Sequence, residues 1–132
     1  MGFFLLLKFA IIGIIGVTIN FTLTWLLKDF LKFNKYLSNS FGYGIAMLFN
    51  FFGNRIWTYS SISDLLIYQF FKFLIVVTVG VFFNHIIVFY FHSFKKTNFY
   101  VSKIIAVVIV FFWNFTMHTL FTFDYLSLFS NL

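Results

Sequence analysis

The sequence contains no cysteine, no proline and no glutamate, and its only acidic residues are Asp29, Asp64 and Asp124. Without cysteine there is no disulfide, no thiolate metal site and no cysteine nucleophile. Without proline, any break in a helix must come from glycine or from polar packing. Each aspartate falls at the end of an apolar run or in a polar link, so a carboxylate pair working as acid and base is excluded. Proton exchange through a buried glutamate, as in small multidrug exporters of similar size, is excluded with it. Three scattered histidines without neighbouring carboxylates make no metal site. No nucleotide-binding loop is present either, so no metal and no cofactor is expected.

What is present is apolar. Of 132 residues, 62% are hydrophobic and 9% charged, and the mean hydropathy is +1.00, more apolar surface than any soluble domain of this size can hide. A helix crosses the roughly 30 Å hydrocarbon layer with about 20 residues. Runs of that length lie at about Leu5 to Leu27, Leu37 to Tyr59, Tyr68 to Phe91 and Val101 to Phe123. The expectation is an all-α integral membrane protein of four transmembrane helices in a single domain, residues 1–132. The first run could pass for a signal peptide, but its first lysine is Lys8 and it continues to Leu27, which reads as a spanning helix. The nine cations behind the net charge of +6 lie in the short loops or near the ends of the apolar runs, suited to anionic lipid headgroups and not to nucleic acid.

Shifting the sequence by 64 residues without a gap superimposes its polar landmarks: Lys8-Phe9 on Lys72-Phe73, Gly16 on Gly80, Asn20 on Asn84, Asn34 on Asn98, Asn50-Phe51 on Asn114-Phe115 and Thr58 on Thr122. Chance explains paired phenylalanines in so biased a chain, but not paired asparagines. The chain is therefore expected to be two tandem helical-hairpin repeats, about 1–60 and 68–132. Between them lies a polar link at 60–67 that contains Ser60, Ser61, Ser63 and Asp64. With two crossings each, both repeats enter from the same side and are parallel.

Each helix carries one polar or small-residue stripe at steps of three and four: Gly13, Gly16, Asn20 and Thr24; Gly42, Ala46, Asn50, Asn54 and Trp57; Lys72, Gly80 and Asn84; Asn114 and His118. One reading is packing, with small residues admitting a close backbone and asparagines bonding between helices. The other is a polar path for a hydrophilic headgroup. Lys8 and Lys72 near the starts of helices one and three, and Arg55 near the end of helix two, approach one membrane face. The lysines also fit as interfacial anchors, whereas Arg55 sits among Asn50, Asn54 and Trp57, where its planar fork suits a phosphate.

The segment Asn50 to Tyr59, NFFGNRIWTY, together with Lys8 to Gly13 and Asn20, resembles the GtrA-like family of small four-helix membrane proteins. The second half, with Asn114-Phe115 and His118, keeps only the outline of that cluster. The resemblance implies a non-enzymatic role in which a polyprenyl-phosphate-linked sugar is flipped across the bacterial cytoplasmic membrane for glycosylation of surface polysaccharide, teichoic acid or glycolipid. On it, Arg55 helped by Lys8 and Lys72 holds the phosphate. Asn20, Asn50, Asn54, Asn84, Asn114, His118 and Trp57 line the sugar's path. The alternative is a non-transporting partner that anchors a membrane glycosyltransferase, itself an expected partner in either case. A homodimer would add volume that four helices lack. The resemblance puts the termini and Arg55 in the cytoplasm, while Lys28, Lys32, Lys35, Lys95, Lys96 and Lys103 would draw the two short loops there instead.

Overall fold

In hydrocarbon a backbone has no hydrogen-bond partner but itself, and long apolar runs resolve that as helix. The computed structural model describes residues 2–62 and 65–127, with Tyr100 described by its backbone alone. Four helices occur among them: α1 (Gly2–Trp25), α2 (Lys35–Gly53), α3 (Leu66–Phe89) and α4 (Phe99–Met117). Each is prolonged by a wider π-helical turn, Leu26–Phe30, Asn54–Thr58, Tyr90–Phe94 and His118–Thr122 in chain order. The helices therefore exceed the apolar runs. Lys28, Asp29, Lys35 and His92, expected in loops, are helical, because the coil continues through the interface once its core is formed. Ser63 and Asp64 of the expected link lie outside the described residues.

Among the described residues three helical stretches are long and apolar enough to cross a membrane: Gly2–Phe30, Leu66–Phe94 and Val101–Thr122. The four expected helices are all present; α2 is the one outside this set, its apolar run diluted by Ser38, Asn39, Ser40, Asn50, Asn54 and Arg55. Apart from Phe51, its buried side is small or polar, with Ser38, Gly42 and Ala46 followed by Asn54, Arg55 and Thr58.

The helix starts and ends show how polar backbone is satisfied. Asn34 caps α2, its Oδ1 accepting from the backbone N–H groups of Tyr36 at 2.9 Å and Leu37 at 3.4 Å. Every helix ends in the same way: a backbone N–H reaches back five residues (Leu31 to Leu26, Tyr59 to Asn54, Lys95 to Tyr90, Phe123 to His118), and a second reaches back six (Phe33 to Leu27, Ser61 to Arg55, Thr97 to Phe91, Tyr125 to Thr119). Between the two donors stands a residue with positive φ: Lys32 at 59°, Ser60 at 50°, Lys96 at 51° and Asp124 at 44°. These left-handed residues turn the chain back so that it closes its own terminal carbonyls. No glycine occupies any of the four positions.

The chain folds as two compact units, Met1–Ile62 and Ser63–Leu132. Each is a helical hairpin, α1 with α2 and α3 with α4. Every helix and wide turn of the second starts and ends 64 residues after its counterpart in the first. In the first hairpin Leu5, Phe9 and Ile12 of α1 are buried, as are Ala46 and Phe51 of α2 and Tyr59 just beyond it. Phe73 and Val76 of α3, Ala106 of α4 and Phe123 form the corresponding core of the second. The outer surface is apolar, including Phe3 and Phe21 on α1, Phe82 on α3 and Ile104 on α4, the surface that lipid would solvate.

Candidate functional site: a polar seam with a cationic end

Inside the first hairpin the polar residues follow the contact between the helices. At its open end, Lys8 on the second turn of α1 donates from Nζ to the carbonyl of Trp57 at 3.4 Å, with its ammonium 5.5 Å from the centre of the Trp57 indole. Arg55 is almost fully buried, and its Nη2 donates to the carbonyl of Ile62 at 3.3 Å. The α2 end thus fastens the chain that leaves it. Phe9 and Tyr59 meet edge to face at 6.4 Å beside them. One turn deeper, Thr58 Oγ1 donates to Asn54 Oδ1 at 2.8 Å, and Asn54 Nδ2 donates to the Asn50 carbonyl at 2.9 Å. Asn54 is therefore spent within α2, buried and bonded at both ends of its amide.

Asn50 lies directly on Gly16, where any β-carbon would fall inside its amide. Nearer the loop, Gly42 faces Asn20 and Thr24, and a β-carbon there would come within 2.6 Å of Thr24 Oγ1 and 2.8 Å of the Asn20 carbonyl. Thr24 donates to Asn20 Oδ1 at 3.3 Å. The two glycines let the helices approach closely enough for these short polar side chains to lie between them. Gly13, in the same sequence stripe, faces open space. Asn20, Asn50 and Lys8 are half-buried and Trp57 is exposed, so the seam is part contact and part surface.

In the second hairpin different groups stand at the positions 64 residues on. At the position matching Asn54 stands His118, whose Nδ1 lies 2.9 Å from Thr122 Oγ1 and whose ring stacks on Phe73 at 4.6 Å. Imidazole takes over the amide's bond to a threonine one turn on and adds a flat apolar face. Asn114 lies on Gly80, its Oδ1 2.8 Å from where a β-carbon would stand. That oxygen is the one buried side-chain polar atom without a hydrogen-bond partner among the described residues. Next to it, Trp113 donates from its indole to the Val76 carbonyl at 3.4 Å. Lys72 lies over Tyr68 at 4.4 Å and Phe121 at 4.9 Å, and Asn84 is half-buried on α3. Gln69, fully buried at the start of α3, was not singled out by sequence, because its counterpart at the shift of 64 is Leu5.

The structure thus sets Lys8 against Trp57, anchors Arg55 of the same wide turn on Ile62, places Asn54 and Asn50 successively further along α2, and holds Asn20 in the same hairpin. Lys72, Asn84, Asn114 and His118 belong to the other. Among the described residues no group of three histidine or acidic side chains lies close enough to share a metal ion. A family model described as the GtrA/DPMS transmembrane domain matches residues 8–123, from Lys8 to Phe123. No curated protein matches the chain significantly. The chain belongs to the GtrA/DPMS transmembrane-domain family, multi-pass membrane proteins associated with the handling of lipid-linked sugars.

Proposed function

We propose that the protein flips a polyprenyl-phosphate-linked monosaccharide across the membrane, supplying a glycosylation of polysaccharide, teichoic acid or glycolipid, and that it does so as a conduit and not as an enzyme. The observation that carries this reading is the contact of Lys8 with Trp57, on the wide turn that also holds Arg55, at one end of a seam of short polar side chains. A phosphate with a sugar attached needs a cation where it waits at the interface and hydrogen-bonding groups where it passes through hydrocarbon. Each unmade hydrogen bond there costs several kcal/mol.

The groups divide by accessibility. Lys8 and Lys72, half-buried and held against aromatic rings each in its own hairpin, offer mobile point charges to a phosphate. Arg55, anchored on the Ile62 carbonyl, adds its field and keeps the end of α2 in place. Asn20, Asn50, Asn84 and Asn114 offer amides to sugar hydroxyls, and Trp57 offers an exposed ring face. Asn54 and His118, bonded within their own hairpins, hold the seam open to its neighbours. The tandem hairpins act as two parallel repeats, in the cytoplasmic membrane of a bacterium, with a glycosyltransferase consuming the delivered sugar.

The test is movement of a fluorescent polyprenyl-phosphate sugar across vesicles that contain only the purified chain, with Lys8→Gln and Arg55→Ala alongside. Movement by the native chain, lost in Lys8→Gln with unchanged folding, supports the assignment. Absence of movement by the folded native chain overturns it in favour of a non-transporting glycosyltransferase anchor, which co-purification with such an enzyme would then identify.

A further inference from the structure

Six of the nine cationic side chains take no part in the seam. They gather where each hairpin turns: Lys28, Lys32 and Lys35 around the turn from α1 to α2, and Lys95, Lys96 and Lys103 around the turn from α3 to α4. All six are exposed. The first turn includes one acid, Asp29, paired with Lys28 at 3.4 Å; the second has none within residues 90–103. Aromatic rings accompany the charges: Phe30, Phe33 and Tyr36 are exposed at the first turn, Phe94 and Phe99 at the second. Lys35 lies over Tyr36 at 5.0 Å, Lys95 over Tyr90 at 5.9 Å and Lys103 over Phe99 at 5.6 Å. Exposed rings beside lysines suit the headgroup layer, where an apolar body and a charged tip are both solvated.

The position of two of these lysines is the sharper observation. Lys32 and Lys96 have φ of 59° and 51°, in the left-handed region where a β-carbon is strained and glycine or asparagine is favoured. Both hairpins put a long cation there, and neither puts a glycine. The stretch Gly2–Phe30 has 29 residues, about 44 Å at 1.5 Å per residue, so with its apolar part in the roughly 30 Å hydrocarbon its final turn reaches the headgroups.

We propose that each hairpin turn is a docking surface for anionic phospholipid headgroups, with Lys32 and Lys96 placed at the apex as their principal contacts. Lys28 and Lys35 flank the first apex, and Lys95 and Lys103 the second. Charge complementarity selects the occupant: three lysines within eight or nine residues of each turn, set among interfacial aromatics, present a cationic surface to a layer of phosphates. The site is separate from the seam and stands whether or not a sugar lipid is the cargo.

The test uses the full chain in neutral detergent, titrated with phosphatidylglycerol and, separately, with phosphatidylcholine, bound lipid being counted by native mass spectrometry. Glycine at the two apices removes the charges and relieves the backbone, so Lys32→Gly with Lys96→Gly keeps or raises thermal stability without lipid. Phosphatidylglycerol binding falls about fivefold for each lysine removed, phosphatidylcholine binding is unchanged, and salt near 1 M weakens the native difference between the two lipids. Equal retention of phosphatidylglycerol by the native chain and the double variant overturns the proposal, as does equal affinity of the native chain for both lipids. A loss of preference on Lys8→Gln with Lys72→Gln, while the glycine variant keeps it, would move anionic lipid binding to the other end of the hairpins and equally overturn it.

Discussion

Lys8 and Trp57, 49 residues apart in sequence, are joined twice: the ammonium donates to the Trp57 carbonyl at 3.4 Å and stands 5.5 Å from the indole centre. The carbonyl belongs to the wide turn that ends α2, so a lysine on one helix closes the end of the other and stays at the surface, where the proposed function has it exchange that carbonyl for a phosphate.

Because the pair is exposed, its contribution to folding is small, about 0.5–1 kcal/mol. Lys8→Gln should lower the thermal midpoint by only a few degrees while removing most lipid-sugar movement. Thermal unfolding in detergent and the vesicle assay, run on the same preparation, check the two halves. A large fall in stability would make Lys8 a structural anchor instead.

The glycines should separate into two kinds. Gly16→Ala and Gly42→Ala each push the helices apart and should cost about 1–3 kcal/mol, whereas Gly13→Ala, facing open space, should be neutral or gain up to about 1 kcal/mol from helix propensity. Asn50→Ala should rescue Gly16→Ala, since the three atoms nearest the added β-carbon all belong to that side chain. Asn20→Ala should not rescue Gly42→Ala, because the Asn20 backbone carbonyl remains. A double-mutant cycle measured by thermal unfolding distinguishes the cases.

Asn114 Oδ1 is buried without a donor, a state that costs about 1–3 kcal/mol. Asn114→Leu should therefore leave the protein as stable or more so, and should slow movement of the sugar lipid whose hydroxyl that oxygen would accept. Lower stability in the leucine variant would show that the amide is already satisfied in the folded protein.

At His118 the second hairpin uses imidazole where the first uses the Asn54 amide. His118→Asn should keep the bond to Thr122, as Asn54 keeps the one to Thr58, and lose about 1 kcal/mol with the Phe73 stack. His118→Leu should cost more, about 1–3 kcal/mol, by leaving the Thr122 hydroxyl without this partner. Unfolding midpoints of the two variants should rank in that order.

The sequence by itself determined that the chain is helical and made for lipid, since runs such as Leu5 to Leu27 allow no other solvent and no other backbone arrangement. It also marked Arg55 and the asparagines as the places where polarity is costly enough to need a reason. Only the tertiary structure decided what each of them touches. Stripes at steps of three and four name a face but not its neighbour, so Gly13 and Gly16 were indistinguishable until α2 set Asn50 on one and left the other open. Asn54 and Asn50 read alike in sequence, yet one is consumed by Thr58 and its own helix and the other lies between helices. The wide, left-handed helix ends were illegible because glycine, their usual sign, is absent at Lys32, Ser60, Lys96 and Asp124. There the chain's need to close its own carbonyls at the membrane boundary outweighed the local preference of the residue.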